Sequence, residues 1–236
     1  MRLGIISALA EEQNGLIEAM ENAAKVTHGM RDYTAGRLWG VDSVCVLSRI
    51  GKVAAAMTAS ILVEKFGVTH IVFTGVAGSG DLGVRVGDVV VADSLVQHDM
   101  DASPLFPRFE IPLTGQSRIA SDRELTRRLS TAARDFLQNE PGSPQFHRGL
   151  IASGDQFINK RAQLNALKDA LPELLAVEME GAAVAQVCFE LGIPFGIIRT
   201  ISDNANEDAA VDFMHFVHTV ASRYAYNILK HFCQPQ

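Results

Sequence analysis

Acidic residues follow apolar runs at three places in this chain: Glu12 in LGIISALAEE, Glu178 and Glu180 in LLAVEMEG, and Asp203 in FGIIRTISD. Carboxylates at the ends of strands stand where open α/β sheets form binding crevices, and in a crevice they can give, take or share protons. Each has a second reading. Glu11 and Glu12 sit where a strand ends and a helix begins, a place the helix dipole favours for acids with or without chemistry. Ser202 or Asp203 could cap the next segment, although Arg199, Ser202 and Asp203 end a strand too apolar to hold them unpaired. Glu178 and Glu180 are two residues apart, so a strand points both to one face, and helix onset at Glu180 turns it into the crevice.

Other stretches offer binding groups. SGDQFIN places Phe157 and Ile158 in a loop after a strand, where an aromatic ring serves either a small satellite core or a planar base that stacks on it. TGVAGSG puts Gly75, Gly78 and Gly80 where backbone can approach a ligand, or where the chain makes a tight turn. Its G-x-x-G-x-G spacing is neither a dinucleotide fingerprint nor a P-loop, and no helical pattern follows, which argues against a NAD site. His98-Asp99-Met100-Asp101 and His215-x-x-His218 lack the third and fourth ligands of a zinc site. No G-x-S-x-G elbow occurs, and Cys188 lies in an apolar run unsuited to a reactive thiolate.

These residues need a scaffold, and its class is legible. Short Ile/Val/Leu runs (LGIISA, SVCVLSRI, HIVFTGVA, DVVVAD, GLIAS, LLAVEM, FGIIRTIS) alternate with segments of helical period, including 10–22 and 52–66. That alternation predicts a three-layer α/β/α sandwich around a mixed, largely parallel sheet. KVAAAMTASILVEKFG is apolar all round its middle with Gly67 past its end, predicting a buried helix; DRELTRRLSTAARDFL predicts a surface helix. A last helix over about 212–231 carries Phe213, Phe216, Val217, Val220, Tyr224 and Leu229 on one stripe and is expected to cross the sheet. Residues 98–120 break the pattern: four Pro/Gly positions among Leu105, Phe106, Phe109 and Ile111 predict a long loop covering a ligand or another subunit. The polar stretch 139–145 reads as a plain connection.

With 236 residues and 47% hydrophobic content, the chain is expected to form one domain spanning 1–236. A formal net charge of −6 with interspersed signs offers no basic patch for nucleic acid, so small molecules are the expected partners. Three scattered cysteines fit a reducing cytoplasm, the N-terminal apolar stretch is too short for a signal peptide, and no run reaches the roughly 18 apolar residues of a membrane span.

The set EE at 11–12, RIGKVAAA at 49–56, TGVAG at 74–78, VGDVVVAD at 86–93, SGDQFIN, AVEMEGAA and RTISD resembles, in this order and over residues 2 to about 230, the 5′-methylthioadenosine/S-adenosylhomocysteine nucleosidase family of the nucleoside phosphorylase/hydrolase superfamily. The resemblance implies that water attacks the anomeric carbon of an adenine nucleoside while adenine, protonated at N7, departs from an oxocarbenium-like ribose. It implies Asp203 as general acid, oriented by Ser202, and Glu12 as the residue that activates the water, with Arg199 helping to hold it. A carboxylate at the nucleophile position repels phosphate, which favours a hydrolase over a phosphorylase. Glu180 resembles the acceptor for the ribose 2′- and 3′-hydroxyls, with Met179 under the sugar and Glu178, Val76, Ala77 and Gly78 along the same wall.

By the same resemblance Phe157 stacks on adenine, backbone at Ile158 reads its Watson–Crick edge, and Leu9, Ile50 and Phe213 line the slot for the 5′-group. A homodimer is implied in which Leu105, Phe106 and Phe109 close the partner's slot, with neither metal nor organic cofactor and no membrane or nucleic-acid partner. The chain departs from the family pattern at Val76, where Ser is common, and in the loop DASPLFPRFEIPLTG. The 5′-substituent therefore stays open between methylthio, homocysteinyl, deoxy and futalosine-type groups. A phosphorylase of the same fold and a non-catalytic nucleoside-binding protein are the competing readings.

Overall fold

Runs of β-branched residues form a sheet buried on both faces, because each alternate residue meets a different helical layer. In the computed structural model, which describes residues 1–234, β1 (Leu3–Ser7) leads into a single turn of helix, α1 (Ala10–Gln13). The antiparallel meander β2 (Met20–His28), β3 (Arg31–Leu38) and β4 (Val41–Leu47) follows. Helix α2 (Lys52–Glu64) precedes β5 (His70–Ser79), β6 (Val89–Gln97) and the short β7 (Ile119–Ala120). Next come α3 (Arg123–Leu137), β8 (Phe146–Ser153), α4 (Arg161–Ala170), β9 (Leu174–Glu178), α5 (Gly181–Leu191) and β10 (Phe195–Asp203). A final helix runs through α6 (Ala209–Phe216), a π-helical segment Val217–Ala221 and α7 (Ser222–Cys233).

Strands β4, β1, β5 and β10 lie side by side and parallel. β10 then pairs antiparallel with β6, β6 and β8 run parallel, β8 and β9 run parallel, and β9 returns antiparallel to β5. One edge of β5 is thus shared: β1 covers it up to Phe73 and β9 takes it again at Gly78. Between them β5 has no strand neighbour on that edge. This opening in the sheet becomes the site described below.

Period-two alternation divides the core. Val44, Val46, Ile71, Phe73, Val90 and Ile197 face the layer of α2 and α5, whereas Cys45, Val72, Val89, Val91 and Ile198 face α3 and α7. The expected three-layer α/β/α sandwich with a mixed sheet is what forms.

Several local expectations are corrected. The helix predicted over 10–22 stops after Gln13: Gly15 adopts φ +85°, turn hydrogen bonds carry the chain to Met20, and β2 begins there, paired to β3. TGVAGSG is not a turn but the C-terminal half of β5, with Gly80 just past the strand's end. Its glycines serve clearance, since a Cβ on Gly80 would lie 2.8 Å from Leu174 Cγ. Helix α2 ends as expected before Gly67 at φ +64°, yet it is not buried all round, for Val53 is 80% exposed. The last helix starts three residues earlier than expected, and Phe216, Val217, Tyr224 and Leu229 are buried on its stripe. The loop from residue 98 ends at β7, whose Ile119 pairs with Leu95 of β6.

Candidate active site

Glu12 occupies the opening between β1 and β9. The one-turn helix α1 folds its side chain back, so that Oε2 accepts from Ala8 N at 2.8 Å and Leu9 N at 2.9 Å. Oε1 accepts from Val76 N at 3.0 Å, a β5 donor that no strand takes up. Burial raises the Glu12 pKa, and the Arg199 charge and these three N–H groups pull against that rise.

Arg199 lies on β10 directly opposite Gly75 of β5. A Cβ at position 75 would stand 2.5 Å from Arg199 Nη1 and 2.9 Å from Glu12 Oε1, so only glycine leaves room for both. The guanidinium rests on the Phe73 ring at 4.0 Å, and Nη2 donates to Glu178 Oε2 at 2.5 Å, with Glu180 Oε2 at 3.9 Å. Arg199 is fully buried behind the cavity wall and is not part of its surface.

Glu178 ends β9 and anchors the start of α5. Its oxygens accept from the Ser153 hydroxyl, from Glu180 N at 3.2 Å, and from Gly181 N at 2.8 and 3.0 Å, besides Arg199. The N–H groups of a helix start suit an anion. With so many donors engaged, Glu178 has little capacity left for a ligand, although its edge reaches the cavity. Glu180, the first residue before α5, accepts from Gly51 N at 2.9 Å through Oε1. Burial, then the neighbouring Glu178 charge, pushes its pKa up to about 8.

Asp203 closes β10 just after a β-bulge between Ile201 and Asp203, a device that re-aims a side chain at a strand end. Oδ1 accepts from Ala205 N at 2.9 Å and Oδ2 from the Ser202 hydroxyl at 2.8 Å, while that hydroxyl also lies 3.2 Å from Ala77 O. Gly78 stands opposite, where a Cβ would come within 2.9 Å of Oδ1. Burial raises the Asp203 pKa against both hydrogen bonds.

These groups share one cavity of about 350 Å³ whose wall includes Glu12, Glu178, Glu180, Ser202 and Asp203. Phe157, 41% exposed, stands edge-on to Phe213 with centroids 5.8 Å apart, and both rings line the cavity with Ile158. Val76, Ala77, Gly78, Leu9, Ile50 and Met179 complete the expected set. The Val76 side chain packs with Phe216 and Val217 of the last helix, so its apolar character serves packing while its N–H serves Glu12. Sequence reasoning missed Ala8, Gln156 and Val177, each the chain neighbour of a residue it named.

Leu105, Phe106 and Phe109 are absent from this wall. Leu105 is exposed, whereas Phe109 packs against the apolar cluster that includes Val96 and Ile158, under the Arg108 guanidinium. The His98 segment is otherwise occupied: Asp99 takes Lys52 Nζ at 2.6 Å and Asp155 N at 2.9 Å. His218 Nδ1 lies 3.8 Å from Glu11. No group of three His, Cys, Asp or Glu side chains placed to hold a metal occurs among the described residues. Burial pushes the Cys45 and Cys188 thiols up to about 12, far from a reactive thiolate.

The cavity therefore joins an acid whose hold on a proton burial strengthens, a carboxylate balanced by an arginine, a hydroxyl acceptor and an aromatic plate. Such a set can hold a planar base on a sugar and move protons at both ends of the bond between them.

Comparison with known proteins agrees with this geometry. Residues 2–234 match the family model described as Phosphorylase superfamily. The 5′-methylthioadenosine/S-adenosylhomocysteine nucleosidase of Geobacillus thermodenitrificans is 37% identical over 230 residues, covering 97% of this chain and 95% of the relative. The crystal structure of the Neisseria meningitidis nucleosidase of that name, in complex with methylthio-immucillin-A, superposes with TM-score 0.91 at 35% identity, covering 98% of this chain and 97% of the other. The native structure of the futalosine hydrolase of Helicobacter pylori superposes with TM-score 0.89 at 32% identity, covering 98% and 97%.

Proposed function

The chain belongs to the phosphorylase superfamily and, within it, to the 5′-methylthioadenosine/S-adenosylhomocysteine nucleosidase family, and from this membership and the acid cluster we propose that it hydrolyses the N-glycosidic bond of 5′-substituted adenine nucleosides. It is an enzyme of the N-glycosidic hydrolase class, acting on 5′-methylthioadenosine and S-adenosylhomocysteine and releasing adenine with the 5′-substituted ribose. The observation that carries this reading is the convergence of Glu12, Glu180 and Asp203 on one cavity.

Each acid takes a separate task. Asp203, its proton favoured by burial and its carboxyl oriented by Ser202, gives that proton to N7 of the base as the bond from N9 to the anomeric carbon breaks. Positive charge grows on the ribose, and the buried carboxylates stabilise it. Glu12 orients a water and takes one of its protons as the oxygen bonds to the anomeric carbon, so the hydroxyl ends on the sugar, that proton on Glu12, and the base leaves neutral with the proton that Asp203 gave. Glu180 accepts from the ribose hydroxyls, Met179 lies under the sugar, and Phe157 stacks on the base with backbone at Ile158 along its edge. Arg199 acts from behind, and Glu178 holds Arg199 and the start of α5 in place. Leu9, Ile50 and Phe213 take the 5′-group, and the Helicobacter pylori neighbour keeps a futalosine-type nucleoside within range.

The assembly we propose is a homodimer of single-domain chains in the cytoplasm. The exposed Val53 and Met57 on one face of α2, with Leu105 and Leu113 on the long loop, support a partner surface that includes the loop residues Leu105, Phe106 and Phe109. No helix among the described residues is long and apolar enough to cross a membrane.

Adenine release from 5′-methylthioadenosine and S-adenosylhomocysteine in phosphate-free buffer tests the reading. Turnover independent of phosphate is expected. A phosphate requirement would make the chain a phosphorylase, and nucleoside binding without release would make it a binding protein.

A further inference from the structure

We propose that a second depression, continuous with the nucleoside cavity, recognises a carboxylate at the far end of the substrate's 5′-substituent through Arg31 and Arg49. The inference rests on the nucleosidase reading and adds to it the residues that would favour 5′-substituents ending in a carboxylate over neutral ones.

The depression measures about 690 Å³ and shares Ala8, Leu9 and Ile50 with the nucleoside cavity. Leu9 and Ile50 are the residues assigned to the 5′-group, so a substituent longer than methylthio passes over them into this space. Its floor carries Arg31, which is buried. The guanidinium is fixed by carbonyls alone: Nε and Nη2 donate to Ser48 O at 3.2 and 3.0 Å, and Nη1 to Gly29 O at 2.9 Å. Three of its five N–H groups are used and no charge is neutralised.

Arg49 stands beside it, donating Nη2 to Met30 O at 2.8 Å. Neither arginine joins an ion pair among the described residues, whereas Lys25 in the same depression is neutralised by Asp32 at 2.9 Å. Two uncompensated cations thus face one space on a chain of formal net charge −6. Burial and the Arg49 charge together lower the Arg31 pKa. Gln13 adds a third donor, for its side chain is buried, lines the depression and leaves Nε2 without a partner. The groups left unsatisfied here are donors, and a planar carboxylate is the acceptor whose shape fits a guanidinium edge.

Backbone geometry supplies an independent observation. Arg49 adopts φ +70°, a left-handed conformation in which glycine is comfortable and a residue with Cβ is strained. The strained residue lies between Ser48, whose carbonyl orients Arg31, and Ile50, which lines the 5′-slot. Strain held at such a place points to a use for the side chain.

The test measures kcat and KM for adenine release from 5′-methylthioadenosine, S-adenosylhomocysteine, a 5′-thioadenosine with an aryl carboxylate tail, and a matched pair whose alkyl tail ends in carboxylate or carboxamide. Arg49→Gly, suited to the local φ, should raise KM for carboxylate-tailed substrates about tenfold, the loss of about 1.4 kcal/mol. Values for 5′-methylthioadenosine and the carboxamide should stay within about twofold, and added salt should weaken only the carboxylate substrates. Whichever of the amino-acid and aryl carboxylates suffers more in the variant identifies the source of the anion. Arg31→Met should act in the same direction; if it fails to fold, Arg49→Gly alone decides. Equal effects on carboxylate and carboxamide, or none, would overturn the proposal, as would a phosphate stimulation that Arg49→Gly removes. Should the enzyme release no adenine at all, the nucleosidase reading would fall, and the carboxylate-to-carboxamide ratio read as Kd by calorimetry would still judge the subsite.

Discussion

Arg199 and Glu178 form an ion pair with both side chains almost wholly out of water, Nη2 to Oε2 at 2.5 Å, immediately behind the wall of the nucleoside cavity. One cation therefore serves three buried carboxylates, since Glu12 feels its charge and Glu180 lies 3.9 Å away. Burial, joined at Glu180 by the Glu178 charge, outweighs the pull of that cation, so Glu12 and Glu180 keep raised pKa values. Two acids are thereby left poised to exchange protons and hydrogen bonds with a ligand.

Removing the cation should unbalance the whole cluster. Arg199→Leu leaves Glu178 buried without its partner, and breaking a buried pair in this way costs about 3–5 kcal/mol. Urea unfolding of the variant should show a loss of that size together with loss of adenine release. An unchanged midpoint would deny the pair its structural part.

Asp203→Asn keeps an oxygen for Ala205 N but has no proton to give. A fall in kcat of about 10²–10⁴ is expected, the usual range for losing a general acid, with affinity for an inert nucleoside analogue nearly unchanged. Burial raises the Asp203 pKa, so the wild-type rate should decline on the alkaline side as this proton is lost. Ordinary turnover by the variant would remove Asp203 from the mechanism.

At Gly75 the constraint is steric. Alanine would bring a Cβ 2.5 Å from Arg199 Nη1, and the guanidinium has no retreat between the Phe73 ring and Glu178. Gly75→Ala should destabilise by about 1–3 kcal/mol, as overpacking does, and lower kcat by displacing Glu12 and Arg199 together. Thermal unfolding and adenine release measured on the same preparation check both effects.

Most of the site was legible because its acids follow recognisable strand ends: Glu12, Glu180 and Asp203 all reach the cavity where the sheet's strands stop. What escaped is non-local. The segment 10–22 carried a helical pattern, yet Gly15 and the pairing of β2 with β3 end the helix at Gln13. β2 buries only Met20, so it had no alternation to announce it. Arg199 reads as a cavity residue from its place at a strand end, but its position behind the wall depends on the glycine across the β5–β10 ladder. Glu178 and Glu180 are both expected on the cavity wall, and helix onset at Glu180 is the one local signal that separates them in sequence. The Ser153 hydroxyl and the α5 backbone, neither predictable from their spacing, commit the first to structure.

Glu180 gives a prediction whose sign is fixed by its environment. Its ordinary pKa is 4.5, and burial with the Glu178 charge lifts it to about 8 in the folded chain. A carboxyl raised on folding contributes stability that is fully present below its unfolded pKa and disappears as pH rises through the folded value. The ligand-free protein should therefore lose thermal stability between about pH 4.5 and 8, the window set by that shift, and lose no more from this group above it. Glu12 and Asp203 shift in the same direction, so the part due to Glu180 is isolated by Glu180→Gln, which retains an acceptor for Gly51 N and cannot ionise. The variant's melting temperature should fall less over this window. Ribose hydroxyls donate best to the ionised form, so nucleoside binding near pH 7 should release a proton from Glu180. Calorimetry in two buffers of different ionisation enthalpy reads that proton directly, and Glu180→Gln should abolish its release along with much of the affinity. Equal proton release by wild type and variant would place the titrating group elsewhere in the cluster.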